Sequence, residues 1–212
     1  MLKRLWMAVA ALSVLALVAG CGGPGVKRAP IDTVTRDLDA DTRIDMLEQM
    51  ALNYPDDARV YYELGNIYYE QIMPNEARLN YEKALELEPA LNPARVNLAM
   101  LLAESDEGDS AKVLLREAIE MDPDDAKAYT DLGVVYYTEM DVDSAVKSFT
   151  KALEIDPDNL EAHYNLGLAF AESGLLVEAI TEWRRILDID ETSETAERAR
   201  LSLDRAERDL KK

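Results

Sequence analysis

From residue 58 onward the apolar positions fall into paired stripes of helical period, the two stripes of a pair separated by a short polar break. In the third pair Tyr129, Leu132 and Tyr136 share one face of a first helix, and Ala145, Phe149 and Ala152 share one face of a second. Each pair predicts a helical hairpin. The pairs also recur in register. At one fixed spacing stand "LGNIYYEQ" (64–71), "LAMLLAES" (98–105), "LGVVYYTE" (132–139) and "LGLAFAES" (166–173). A second series keeps the same period: "YEKALELEP" (81–89), "LREAIEMDP" (115–123), "FTKALEIDP" (149–157) and "WRRILDIDE" (183–191). The fold class this predicts is all-α, a stack of four hairpins.

The residues within a unit say how each hairpin closes. Small residues stand where two helices must approach: Gly65, Ala99, Gly133 and Gly167 on the first helices, Ala77, Ala111, Ala145 and Ala179 on the second. Bulky Tyr81, Leu115, Phe149 and Trp183 fill the space beyond them. Pro89, Pro123 and Pro157 end the second helices, because proline lacks an N–H and disfavours helical geometry in the residue before it. Asp and Asn beside these prolines suit caps for the helix that follows.

This spacing resembles the tetratricopeptide repeat, whose 34-residue unit carries aromatic, Leu, Gly, aromatic, Ala, aromatic, Ala and Pro at fixed offsets. The first unit has Tyr61, Leu64, Gly65, Tyr68, Ala77, Tyr81, Ala84 and Pro89; the third has Tyr129, Leu132, Gly133, Tyr136, Ala145, Phe149, Ala152 and Pro157. The second departs with Arg95 and Ala99, and the fourth with His163, Ile186 and Glu191, whose lost proline predicts a less sharply stopped helix. The resemblance implies an α-α superhelix with repeats at 58–91, 92–125, 126–159 and 160–193. Residues 37–57, with Leu47 and Pro55 where a second helix has them, form an N-terminal half-repeat. In 194–212 one stripe of Ala196, Ala199, Leu203, Ala206 and Leu210 on a charged helix reads as a C-terminal cap, or alternatively as a homodimer face.

The first twenty residues follow a different pattern. "MLKR" is basic, and "LWMAVAALSVLALVAG" then runs uncharged to Cys21, the only cysteine in the chain. That order is a secretory leader, residues 1–20. As a helix, Leu5 to Gly20 would be about 24 Å long, short of a ~30 Å hydrocarbon core, so a permanent span is the weaker reading. "VAGC" (18–21) resembles the bacterial lipobox, which implies cleavage before Cys21 and a lipid on its thiol. Several acyl chains, at ~0.8 kcal/mol per buried CH₂, hold where one is marginal. Gly22 is not the Asp that keeps such lipoproteins at the inner membrane, which implies an outer-membrane anchor. Residues 21–36, rich in Gly and Pro and without helical period, read as a flexible tether of about 50 Å reach at ~3.5 Å per residue.

Charge narrows the function. Without the leader the chain has 21 Lys and Arg against 42 Asp and Glu, a net −21, and such a body repels nucleic acid. Chemistry is scarce as well. The single histidine, His163, occupies a core aromatic position of the repeat, and no phosphate loop or metal-ligand cluster is present. "DPDD" (122–125) and "DPDN" (156–159) read as helix caps rather than calcium loops. The chain is not expected to be an enzyme, and it implies no cofactor and no metal.

Binding is the class that remains. In the repeat family the first helices line a concave groove, and by offset this lining comprises Tyr62, Asn66, Tyr69, Val96, Asn97, Met100, Thr130, Val134, Tyr137, Tyr164, Asn165 and Leu168. Tyrosine joins a large apolar area to a hydrogen-bonding tip, a combination favoured at protein interfaces; the competing reading packs these tyrosines between hairpins. Some family members clamp a terminal carboxylate here, but Tyr62 and Asp131 stand where that clamp wants cations, although Asn66, Asn97 and Lys127 match. The expected partner is a protein segment, extended or helical and basic in character. Anchor, tether and groove resemble two kinds of envelope lipoprotein: pilotins, which assist secretin assembly for type IV pili, and adaptors that gather peptidoglycan hydrolases and proteases. A spacer without a ligand is the third reading.

Overall fold

The computed structural model describes residues 27–34 and 37–211. The leader, Cys21 and the first part of the tether lie outside the described residues. The described residues form ten α-helices: α1 (Ala40–Asn53), α2 (Ala58–Glu70), α3 (Pro74–Leu87), α4 (Asn92–Glu104), α5 (Gly108–Met121), α6 (Ala126–Thr138), α7 (Val142–Ile155), α8 (Leu160–Glu172), α9 (Leu176–Ile189) and α10 (Glu194–Asp209). The starts of α2, α4, α6, α8 and α10 are evenly spaced by one repeat length, as are those of α3, α5, α7 and α9. The expected all-α hairpin architecture is observed. Two compact units divide it, one ending at Ala94 and the other beginning at Arg95.

In the second unit the α6–α7 and α8–α9 hairpins close where the small residues stand. A Cβ on Gly133 would lie 2.5 Å from the Phe149 ring, and one on Gly167 would strike the Trp183 indole. Close approach therefore requires glycine here. The Trp183 Nε1–H donates to the Tyr164 carbonyl at 3.1 Å, so the bulky partner is hydrogen-bonded as well as packed. Asp125, Asn159 and Ser193 cap α6, α8 and α10 by accepting from Ala128 N at 3.0 Å, Ala162 N at 2.9 Å and Ala196 N at 3.2 Å. The missing proline of the fourth repeat has no effect on register. Helix α9 ends at Ile189, and Asp190 turns the chain by accepting from Thr192 N at 2.8 Å.

The C-terminal stripe of α10 is packed within the chain. Ala196, Ala199, Leu203 and Ala206 are buried against Ala179, Ile180, Trp183 and Ile186 of α9, so these four are covered within the chain, and Leu210 beyond them is exposed. The alternative, a homodimer contact through that stripe, would have to displace this packing. Leu201 stands one repeat length after Gly167, where the other first helices carry Gly or Ala, and it is exposed. A side chain of that size would crowd a second helix packed as in the preceding hairpins.

The first unit holds α1 to α3 and one departure from expectation. Residues 29–34, expected to be loose, are docked: Ala29 is buried, its N–H donates to Asp57 Oδ2 at 2.7 Å, and Ile31 and Val34 pack against the cluster of Leu47, Met50, Val60, Leu64 and Ile67. A 3-10 turn, Ile31–Thr33, shapes this strap. Arg59 Nη2 donates to the Ala29 carbonyl at 3.3 Å and to Asp57 Oδ2 at 2.7 Å, so strap, cap and cation form one cluster. Burial works against the Asp57 carboxylate, yet the bonds from Arg59 and Ala29 outweigh it and hold its pKa below 3.8. On the other side of the unit, burial and a 2.8 Å bond to Glu48 push the Tyr68 hydroxyl up to about 12.

Candidate functional site

In the second unit the first helices α6, α8 and α10 lie side by side, α6 against α8 and α8 against α10. Their shared face is the candidate site. On α6, Asp131 is 13% exposed and bonded at 2.6 Å to Lys127, which is itself 61% exposed. Burial raises the Asp131 pKa, against the pull of Lys127. With Lys127 held by a neighbouring carboxylate, a terminal-carboxylate clamp is not available at these two residues. Val134 and Tyr137 are half-buried against the cluster of Ala145, Phe149, Leu166 and Ala169, so they serve packing and lining together. Burial, with the Glu172 carboxylate and the Tyr164 hydroxyl near by, keeps the Tyr137 hydroxyl protonated.

Helices α8 and α10 add a cluster that the sequence did not mark. The Arg198 guanidinium lies 4.1 Å above the centre of the Tyr164 ring and 3.3 Å from Glu161 Oε1, which also accepts from Thr195 Oγ1 at 2.7 Å. One face of Tyr164 is therefore taken by a cation. Asn165 and Leu168 remain half-exposed beside it, Leu168 resting on the α9–α10 core. On α4, Asn97 and Met100 are half-exposed too.

Two expected lining residues are not lining. Val96 is 1% exposed and belongs to the core. Thr130 is 5% exposed, and its hydroxyl donates back to the Ala126 carbonyl at 2.9 Å, the usual way a helical threonine hides its oxygen. Asn159 Nδ2 approaches the same oxygen at 3.5 Å. Both are packed in the interior rather than open to a partner.

The first unit has a first-helix surface of its own on α2. Tyr62 is half-buried with its ring 6.3 Å from that of Tyr81 at 43°, and Asn66 Oδ1 accepts from the Tyr81 hydroxyl at 3.0 Å. Tyr69 is the most open of the three. Candidate chemistry elsewhere is occupied. His163 is buried with Nδ1 2.7 Å from Glu182 Oε2 and Nε2 3.0 Å from the Pro157 carbonyl. Both partners accept, so the doubly protonated ring satisfies both. Burial opposes that charge, but the two bonds prevail and raise the pKa above 6.5. Such a ring holds α8 to α9 and offers neither nitrogen to a substrate. A shallow cleft between α9 and α10, lined by Val177, Ile180, Thr181, Arg184, Glu207, Leu210 and Lys211, shares no residue with the face.

Comparison with known proteins agrees with this geometry. Residues 73–133 match a family model described as tetratricopeptide repeat, and residues 141–174 match one described as TPR repeat. This is the tetratricopeptide-repeat fold. A crystal structure of MamA is similar, with TM-score 0.67 and 26% identity, over 78% of this chain and 97% of that one. YrrB, titled a TPR protein with an unusual peptide-binding site, gives TM-score 0.61 and 23% identity, over 80% of this chain and 88% of that one. TTC0263, a thermophilic TPR protein in Thermus thermophilus, gives 0.68 and 20%, over 77% and 90%. No curated protein sequence matches the chain. The tetratricopeptide scaffold is one suited to protein–protein interaction, and these matches indicate no enzyme family.

Proposed function

We propose that the chain is a lipid-anchored assembly factor of the bacterial envelope, whose first-helix face holds a segment of a partner protein. The observation that carries the binding part is the chemistry of the face. Tyrosines, amides and short apolar side chains lie together there, while its acids and cations are already paired, Lys127 with Asp131 and Arg198 with Glu161. Such a surface rewards apolar area and backbone hydrogen bonds over any single charge. The peptide-binding site named for YrrB, a protein of the same fold, supports the reading. The anchor rests on "VAGC" and the apolar run before it, and the outer membrane on Gly22.

A photo-crosslinking residue placed at Leu168 in intact membranes should capture one defined protein, and Tyr62→Ala with Tyr137→Ala in the same crosslinking chain should abolish capture while leaving the helical signal unchanged. Capture that survives the double substitution overturns the assignment of the face. Cys21→Ser should release the protein from membranes with its fold intact. Within this reading we favour a pilotin-like role in secretin assembly, and loss of the gene should then abolish secretin multimers. Normal multimers with altered muropeptides would transfer the role to a hydrolase adaptor.

A further inference from the structure

The turn inside each hairpin has a left-handed residue, and these residues differ in a patterned way. Ile72, Asp106, Met140 and Gly174 hold the same place in successive repeats, at φ 58°, 61°, 64° and 76°. The turns share one hydrogen-bonding scheme: Ile72 N donates to the Tyr69 carbonyl and Met73 N to that of Tyr68, as Met140 N does to Tyr137 and Asp141 N to Tyr136. Glycine occupies such a position without steric penalty; a β-branched residue there is an outlier, and a bulky one is strained. Ile72 is nevertheless 88% exposed and Met140 68% exposed, so neither gains packing in return.

The strained apolar residues keep company with tyrosine. Three residues before Ile72 and Met140 on the helical face stand Tyr69 and Tyr137; three residues before Asp106 and Gly174 stand Ala103 and Ala171. Large apolar side chains thus occur at both places in the first and third hairpins, and at neither in the second and fourth. Strain held at an exposed position without compensating contacts marks a site kept for something outside the fold. The charges near the Ile72 turn are paired, and those around the Met140 turn leave acids exposed. Near Ile72, Arg43 is taken up by Glu70 at 3.2 Å; near Met140, Lys112 is taken up by Glu139 at 2.6 Å and Asp109 at 2.9 Å, and Asp141 and Asp143 stand exposed.

We infer that the turn edges at Tyr69–Ile72–Met73 and at Tyr137–Met140, each by itself, are docking points for a basic, apolar-rich segment of a partner protein. This rests on the reading of the first-helix face as a protein-binding surface and adds the edge beside it. Apolar side chains of the partner cover Ile72 and Met140, and its lysines or arginines meet Asp141 and Asp143 beside Met140.

The test exploits opposite signs. Ile72→Gly with Met140→Gly, in the full chain, should raise the Tm by about 2–4 °C per substitution, because glycine relieves the left-handed strain. The same variant should bind a synthetic lysine–leucine peptide at least about tenfold more weakly than the parent. A raised Tm with unchanged affinity overturns the proposal. So does equal binding of the parent to a lysine–serine or a glutamate–leucine peptide, since the first removes the apolar requirement and the second the basic one. Should the glycine pair lower the Tm, Ile72→Asn with Met140→Asn carries the same test, asparagine being tolerated in this conformation. Tyr62→Ala with Asn165→Ala separates the two readings. If it abolishes peptide binding while the glycine pair does not, the face stands and the edge falls; if neither pair has an effect, both fall.

Discussion

The two ends of the repeat series meet the same difficulty and solve it by different chemistry. A hairpin stack exposes an apolar face wherever it stops. At the N-terminal end that face is covered by a strap fixed through a polar cluster: a buried carboxylate, an arginine and one backbone amide, with Ile31 and Val34 beside them. At the C-terminal end a whole helix lays alanines and a leucine onto α9. A polar clasp depends on every partner being present, because any group left unmatched in a buried place costs more than its bond contributed. An apolar lid depends on volume. The N-terminal end should therefore respond sharply to single groups and to protonation, and the C-terminal end to cavities.

The largest effect is expected at the lid. Leu203→Ala removes a buried side chain from the α9–α10 core and should destabilise the second unit by about 3 kcal/mol, read from urea denaturation with hydrogen exchange assigning the loss to α9 and α10. Loss spread evenly over both units would mean the two ends are not separate in the way described. Asp57→Ala comes next. It removes the α2 cap and leaves the Ala29 N–H without its acceptor, for about 2 kcal/mol, with exchange rising first at residues 29–34. An unchanged exchange pattern there would show that Ile31 and Val34 alone hold the strap. Gly174→Ala isolates backbone strain, since a Cβ there meets nothing within 4 Å, and should cost about 1 kcal/mol. A neutral result would remove the argument from strain at Ile72 and Met140.

The smallest expected effect is a difference in pH response. The Asp57 pKa is lowered on folding, so its contribution is complete above 3.8 and is lost as pH falls through the folded value. The His163 pKa is raised, so its contribution is complete below 6.5 and is lost as pH rises through the folded value. Exchange measured against pH should then show residues 29–34 loosening in acid, and the α8–α9 contact loosening on the alkaline side of 6.5. If both loosen on the same side, one of the two bonding schemes is wrong.

Most of the fold was legible because its determinants are local and repeated. Gly133 and Phe149 belong to the two helices of one hairpin, and the places they hold recur once in every repeat, so a single glance along the period shows which helices must touch. The strap was not legible for the opposite reason. Its stretch has no period, and it is held by Asp57, far along the chain, whose evident duty as a helix cap conceals a second one. Offset anticipated exposure where it decides it, as at Tyr69 and Asn165. It failed at Thr130 and Val96, which sit toward the neighbouring helices and are buried by them. Arg198 escaped notice because the alanine stripe of α10 explains the helix without it, and only the rotation of α10 sets the guanidinium over Tyr164.

The strap also resets a length. With residues through 36 loose, a lipid on Cys21 would let the repeats roam roughly 50 Å from the bilayer. Ala29 is instead moored to the body, and only eight peptide steps separate it from Cys21, at most about 28 Å of covalent chain. With the proposed lipid on Cys21, such a short line would keep the first hairpin close to the headgroups. Its partner would have to bring the binding segment down to the membrane surface, and Asp57 would be the pin whose removal lengthens the line.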